Sequence, residues 1–224
     1  MSVIVPALNE EKALGKTLGS LELTENEELI VVDGGSSDAT VAVASRYAHM
    51  VLSAQRGRAR QMNAGAARAR GDILFFLHAD CVPPAGAFGM IRETVARKGV
   101  SAGAFDLAIA HPGLCFRLIE LGANLRSRLT SIAYGDQGLF MRRSVFEEIG
   151  GFADIPLMED IEISSRLKKA GEVVFLRPPV STEPRRWLTE GALYTTLRDW
   201  SLALSYSVFG ASPERLARHY RDVR

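Results

Sequence analysis

Short apolar runs separated by turn residues organise the first half of the chain. Val3-Ile4-Val5 is a β-branched run ended by Pro6, Leu29-Ile30-Val31-Val32 is a second, Met50-Val51-Leu52 a third, and Ile73-Leu74-Phe75-Phe76-Leu77 the strongest. Continuous apolar runs fit strands buried on both faces of a parallel sheet. Between them the pattern is helical. Glu10 to Ser20 reads as a helix with Asn9 as its N-cap and acids in its first turn. Ala39 to Tyr47 is another, and the alanine-rich stretch from Ala59 to Arg70 is a third, stopped by Gly71. Pro83-Pro84 breaks the chain before a helix that runs to Arg97. Strand and helix in alternation predict an α/β fold with an open, mostly parallel sheet and helices on both faces.

The second half is less regular. Ser101 to Ile109 reads as a strand, Leu114 to Arg128 as a helix and Leu139-Phe140-Met141 as a short strand. A turn at Gly150-Gly151 precedes a helix from Met158 to Ala170, stopped by Gly171, and a strand from Val173 to Leu176. From Leu188 a stripe of Leu193, Leu197, Trp200, Leu204 and Val208 makes one amphipathic helix ended by Gly210. Ser212-Pro213 then caps a last helix, with proline at its first position. The stripe is expected to cover the sheet of its own domain; a lipid headgroup layer beside Arg198, Arg215 and Arg218 is the alternative cover.

Composition narrows the class. Of 224 residues, 47% are hydrophobic and 24% charged, which is ordinary for a globular chain and excludes disorder. The 27 basic and 26 acidic residues leave a net charge of +1, so nothing asks for a nucleic acid partner. Arginines outnumber acids from Arg177 onward, which makes that end locally basic. Cys81 and Cys115 form no CxxC pattern and are expected as reduced thiols. No apolar leader stands at the start, and no run approaches the ~20 residues of a membrane span. The expected location is the cytoplasm, with the inner membrane surface as its alternative.

Three polar clusters sit where buried strands end: Asn9-Glu10 after the first, Asp33 after the second, and Asp80 after the Phe75-Phe76 strand. In open parallel sheets ligands bind outside the carboxyl ends of the strands, so all three clusters should face one rim. Each alone reads equally well as a helix cap or a turn residue. Their convergence is what points to a site.

These residues resemble the family 2 glycosyltransferases, which have the GT-A fold. The run from Ser2 to Glu11, with Pro6, Ala7, Asn9 and Glu10, is similar to that family's first strand and nucleotide loop. Val31 to Thr40, with Asp33-Gly34-Gly35, resembles its second motif, and Arg60-Gln61-Met62-Asn63-Ala64-Gly65 the start of its Ala-Arg-Asn-x-Gly helix. Leu77-His78-Ala79-Asp80 occupies the place of the Asp-x-Asp metal motif, with His78 where the family often has Asp, and Met158-Glu159-Asp160 resembles the Glu-Asp motif before a helix. The likeness spans residues 2 to 187 and implies one domain over 1–224: a nucleotide-binding half (1–110), an acceptor and catalytic half (111–187) and a helical tail (188–224).

The resemblance also implies roles. Pro6, Ala7, Asn9, Glu10 and Asp33 are expected to hold the base and ribose, Arg60 to face the phosphates, and Asp80 to ligate a divalent Mg2+ or Mn2+. A hard cation suits phosphate oxygens and takes few protein carboxylates. Asp160, with Glu159 beside it, is the candidate general base. A helix N-terminus favours its ionised form by about 0.3–1 kcal/mol. Asp136 and Gln137, in the turn Tyr134-Gly135-Asp136-Gln137-Gly138, stand near the acceptor side or form a plain turn. Arg185-Arg186-Trp187 is similar to the Arg-Trp motif of processive members, without the glutamine that precedes it, and serves phosphate or acceptor contact or else snorkels at the surface. The implied activity is inverting, metal-assisted transfer of a sugar from a nucleoside-diphosphate sugar to an unidentified acceptor hydroxyl. A catalytically idle nucleotide-binding or membrane-surface module is the alternative. A sugar-phosphate nucleotidyltransferase would need a basic glycine-rich loop after the first strand, where this chain has Pro6-Ala7-Leu8-Asn9-Glu10.

Overall fold

The computed structural model describes residues 1–220. Its centre is one eight-stranded sheet in the order β3-β2-β1-β4-β7-β6-β8-β5. β1 (Ser2–Ala7), β2 (Glu28–Asp33), β3 (Met50–Ser53) and β4 (Ile73–Phe76) are mutually parallel. β7 (Leu139–Arg142) runs antiparallel between β4 and β6 (Val100–Ile109). β8 (Glu172–Thr182) pairs parallel to β6, and the two-residue β5 (Cys81–Val82) closes the edge antiparallel to β8. The sheet is therefore mixed and mostly parallel: the buried runs predicted the parallel strands, and the antiparallel β7 and β5 accord with the GT-A fold that the resemblance implied.

Alternate residues of each strand feed two separate cores. Val3, Val5, Leu29, Val31, Phe75 and Leu77 pack on one face with Leu14 and Leu18 of α1 (Leu14–Gly19) and Phe88, Ile91 and Val95 of α4 (Ala87–Ala96). Ile4, Ile30, Val32, Leu74 and Phe76 pack on the other, against Ala59, Met62 and Ala66 of α3 (Arg58–Arg68). Ile163 and Leu167 of α7 (Glu159–Ala170) close that second face. α3 lies so close to β1 that a Cβ on Gly65 would sit 2.5 Å from Ile4 Cγ2, which fixes glycine there.

Several elements differ from expectation. α1 begins at Leu14 rather than Glu10, because Asn9 stands at φ 54° and its side chain is committed elsewhere. α2 covers Thr40–Ala44 alone, and α6 (Arg143–Glu148) and β5 were not foreseen. The tail is not one helix: Gly191, at φ 94°, divides α8 (Arg185–Glu190) from α9 (Ala192–Ser207). Ser212 caps α10 (Pro213–Ala217) by accepting the Arg215 N–H.

The larger correction concerns the tail's apolar stripe. α9 buries Thr195, Leu202 and Ala203, the last two against Leu157, Met158 and Ile161. Leu193, Leu197, Leu204 and Val208 face outward instead of covering the sheet, 54–72% exposed. Both faces of the sheet are already covered, one by α1 and α4 and the other by α3, α6 and α7. Cys81 is buried and Cys115 exposed, and both are free thiols. Among the described residues no helix is long and apolar enough to cross a membrane.

Candidate active site

The register of the parallel strands builds the rim. Ala7 of β1 stands opposite Asp33 of β2, and Ile4 opposite Phe76 of β4. The chain therefore leaves all three strands at the same edge, carrying Glu10, Asp33 and Asp80 to one side of the molecule. A cavity of about 260 Å³ opens there, just below the usual range for small-molecule sites. Pro6, Ala7, Leu8 and Glu10 form one end of it. His78, Asp80, Asp136 and Asp160 line its floor. Arg185, Arg186 and Trp187 of α8 close it from above. The far end is walled by Ile119, Ala123 and Arg126 of α5 (Leu114–Thr130) and by Thr196 and Trp200 of α9.

Asp160 is the second residue of α7. Its Oδ2 accepts the Gly135 N–H at 3.0 Å and its Oδ1 the Ile161 N–H at 2.8 Å. The helix is entered through Met158, a non-glycine residue held at φ 69°, the kind of strained backbone that clusters at functional sites. Asp136 sits in the short 3-10 turn Gly135–Gln137. Burial, then the negative charges of Asp160 and Asp80, push its carboxyl up to about 6, against the pull of Arg126. Three partly exposed carboxylates thus line one cavity, and Asp136 keeps its proton more readily than an ordinary aspartate.

Gln137 is almost completely buried. Its Oε1 accepts from Ser127 Oγ at 3.0 Å and from the Tyr134 N–H at 2.9 Å. The backbone donor fixes the amide orientation, so Nε2 is the group turned away, and it has no hydrogen-bond partner although it is buried at the cavity wall. Leaving a buried donor unpaired costs roughly 1–3 kcal/mol. The Arg126 guanidinium stacks 3.8 Å over the Tyr134 ring at the same end, and its Nε is likewise buried without a partner.

The basic groups are equally placed. Arg185 spreads over both oxygens of Glu10, at 3.0 and 3.1 Å, and lies 3.9 Å from Asp80 Oδ2. Arg186 is held by Asp199 at 3.3 Å and lies 4.6 Å from the Tyr220 ring centroid. Arg58, at the start of α3, pairs with Glu159 at 2.6 Å. His78 is kept neutral, its pKa pushed down to about 3 by burial and by Arg58 and Arg186. It packs beneath Gly135, where a Cβ would collide with its ring.

Other sequence candidates are placed differently. Arg60 points outward to Asp154, at 2.7 Å, and does not line the cavity. One helical position is a rotation of about 100°, so Arg58 and Gln61, three apart, share the inward face that Arg60 lacks. Glu159 is buried beneath the cavity as the partner of Arg58 rather than in it. Asp33 does not reach the cavity lining either: its carboxylate accepts the N–H groups of Gly35 and Ser36. Asn9 Oδ1 accepts the Ser37 N–H, so it ties the two strand-end loops together. Gln61 Nε2 donates to Ala7 O and Val32 O, both at 2.8 Å, and clamps those strand ends. Sequence reasoning missed Arg58, Arg126, Tyr134 and Trp200. Arg58 was legible from its spacing to Gln61; the other three carry no motif.

The open, mostly parallel α/β sheet, with carboxylates and arginines gathered at its strand ends, has the GT-A type of fold. Residues 2–150 match the model of glycosyl transferase family 2, and the chain belongs to that family. It is 27% identical over 219 residues to the probable glycosyltransferase YdaM of Bacillus subtilis, a match that takes in 84% of this chain and 51% of YdaM. The chain thus spans about half the length of that relative. Among solved structures it is similar to S. aureus TarS 1-349 in complex with UDP-GlcNAc, with a TM-score of 0.65 at 14% identity, covering 96% of this chain and 68% of the other. It is also similar to glucosyl-3-phosphoglycerate synthase from Mycobacterium tuberculosis in complex with Mn2+, UDP and glucosyl-3-phosphoglycerate. There the TM-score is 0.57 at 22% identity, over 91% of this chain and 78% of the other.

Proposed function

We propose that this protein transfers a sugar from a nucleoside-diphosphate sugar to an acceptor hydroxyl, with inversion at the anomeric carbon. The observation that carries the reading is the gathering of Asp80, Asp136, Asp160, Arg185 and Arg186 around one cavity at the strand ends. The donor lies along it. The loop from Pro6 to Glu10, with Asp33 supporting it from behind, holds the nucleoside. Arg185, Arg186 and Arg58 face the diphosphate, and Trp187 covers it.

The donor set suits a divalent cation. Asp80 presents its carboxylate to the cavity, and no group of three or more metal-ligating side chains exists among the described residues. A hard ion with one protein carboxylate and the rest of its ligands from diphosphate and water fits that arrangement. When bound, Mg2+ or Mn2+ neutralises charge on the departing diphosphate. Arg185, already close to Asp80, adds a second positive charge and swings from Glu10 toward the phosphates as the donor enters.

Asp160, anchored by two backbone N–H groups, takes the proton of the acceptor hydroxyl. The acceptor oxygen then bonds to the anomeric carbon as the bond to the diphosphate breaks. Asp136, whose proton is retained to about pH 6, and the free Nε2 of Gln137 orient the acceptor at the far end of the cavity. TarS and the mycobacterial synthase, named with UDP-GlcNAc and with Mn2+ and UDP, support the donor class. The test is to incubate the protein with Mg2+ or Mn2+ and a panel of UDP- and GDP-sugars and to measure released nucleoside diphosphate. Slow donor hydrolysis is expected with at least one donor. Silence across the panel with nucleotide binding retained identifies an idle binding module instead.

A further inference from the structure

We propose that the outer faces of α5 and α9 form one docking surface for an anionic lipid bilayer, and that docking sets the far end of the cavity beside the headgroups. α5 buries Phe116, Ala123 and Ser127. Its opposite side carries Leu114, Leu118, Leu121, Leu125 and Leu129, between 55% and 82% exposed. α9 repeats the same spacing with Leu193, Leu197, Trp200, Leu204 and Val208, and Phe209 extends it at 76% exposed. Contiguous apolar surface of this extent is rare on a chain that stays in water and marks an interaction site.

The two stripes are one face. At Gly122 a Cβ would lie 3.0 Å from the Trp200 ring, so the helices touch there. Leu118 and Leu125 flank Gly122 at helical spacing, as Leu197 and Leu204 flank Trp200.

Charge selects the occupant. Arg117, Arg126 and Arg128 of α5 stand against one acid, Glu120. From residue 185 to 220, Arg185, Arg186 and Arg198 are turned inward and paired with Glu10, Asp199 and Glu190, which leaves Arg215 and Arg218 of the last helical stretch as its outward arginines, beside Glu214. Arg117, Arg128, Arg215 and Arg218 are exposed, Arg117 and Arg128 while held by Glu120 and Asp106. A second copy of this chain docked on the same face about a two-fold axis would set this basic surface against itself. An anionic headgroup layer instead meets arginine with phosphate while the leucines and aromatic rings enter the acyl boundary. No described helix is able to span, so the contact is one of lying on the surface.

The cavity shares this wall. Ile119, Ala123 and Arg126 line it from α5, and Trp200 belongs to both the cavity and the exposed face. An acceptor held in the headgroup layer therefore reaches Asp160 without leaving the bilayer. That last step rests on the proposed function; the docking itself does not.

The test is co-sedimentation of the full chain with vesicles of phosphatidylcholine alone or of phosphatidylcholine with one-third phosphatidylglycerol, without donor. Two variants accompany it, Leu118→Ser/Leu121→Ser/Leu125→Ser and Leu197→Ser/Leu204→Ser. The parent chain is expected to pellet with the anionic vesicles and to be displaced by high salt. Each variant should bind about ten-fold more weakly while keeping the parental melting temperature and donor hydrolysis. A parent chain that stays in the supernatant overturns the proposal. So does one that sediments as a dimer and becomes monomeric in the leucine variants, which would make a second copy the occupant. Failure of the sugar-transfer reading shows independently, as the absence of nucleoside diphosphate release.

Discussion

Arg58 Nε and Glu159 Oε1 lie 2.6 Å apart, joining the first residue of α3 to the first residue of α7. The pair holds together the two helix starts that deliver Arg58 and Asp160 to the cavity. Glu159 is 4% exposed, so its charge depends on Arg58, whereas Arg58, at 33%, keeps contact with water. Glu159→Gln is expected to lower stability by about 2 kcal/mol in urea unfolding. Sugar transfer should fall far less than in a variant of Asp160. An inactive but fully stable Glu159→Gln would instead give Glu159 a direct chemical role.

The same helix separates Arg58 from Arg60. Arg60 is paired with Asp154 at the surface, where water and salt screen the attraction. Arg60→Ala should leave donor affinity within about two-fold. Arg58→Met should weaken it by about ten-fold, the worth of one charge-assisted hydrogen bond. Titration with a nucleoside diphosphate separates the two, and equal losses would contradict the placement of α3.

Asp136 sets a pH dependence. Its carboxyl is raised from 3.8 to about 6 in the folded protein, first by burial. A raised acid binds its proton more tightly when folded, so its favourable contribution is complete below pH 3.8 and is lost as pH rises through about 6. Asp136→Asn keeps the neutral form at every pH. Its melting temperature should match the parent near pH 3.8 and exceed it increasingly up to about pH 6. A gap that is constant with pH would show that Asp136 ionises normally.

For Asp80, the expected variant behaviour is specific to metal. Asp80→Ala should weaken donor-sugar binding in Mg2+ or Mn2+ by about ten-fold or more and leave binding in EDTA unchanged. Thermal shift with and without chelator measures both. An unaltered metal dependence would remove Asp80 from the donor site.

Much of the rim was legible because strand burial is local. Runs such as Ile73 to Leu77 announce themselves, and their ends locate Glu10, Asp33 and Asp80 without any tertiary knowledge. What the sequence hides is direction. Arg60 and Arg58 are two positions apart on one helix, so they face opposite ways, and the packing of α3 on β1 at Gly65 and Ile4 sets which of them faces inward. Asp33 reads as a ligand contact until the Gly35 and Ser36 N–H groups are seen to occupy its carboxylate. The α9 stripe has the period of a core helix, yet both faces of the sheet were already covered. Amphipathicity reports that a face is apolar and is silent on what covers it. Gln137 reads as part of a turn, but its unpaired Nε2 follows from the hydrogen bonds of its Oε1 to the Tyr134 N–H in that turn and to Ser127 on α5.

In the proposed reaction Asp160 removes the acceptor proton beside a donor bound at the strand ends. Asp160→Asn keeps the size of the side chain and an oxygen able to accept the Gly135 N–H, and removes the base. With a donor identified from the panel, turnover and donor binding should be measured for this variant side by side with the parent. Turnover is expected to fall by about 10²–10⁴-fold, the usual worth of general base catalysis, with donor affinity within about three-fold of the parent. Full turnover in Asp160→Asn, or loss of donor binding in step with loss of turnover, would contradict the account.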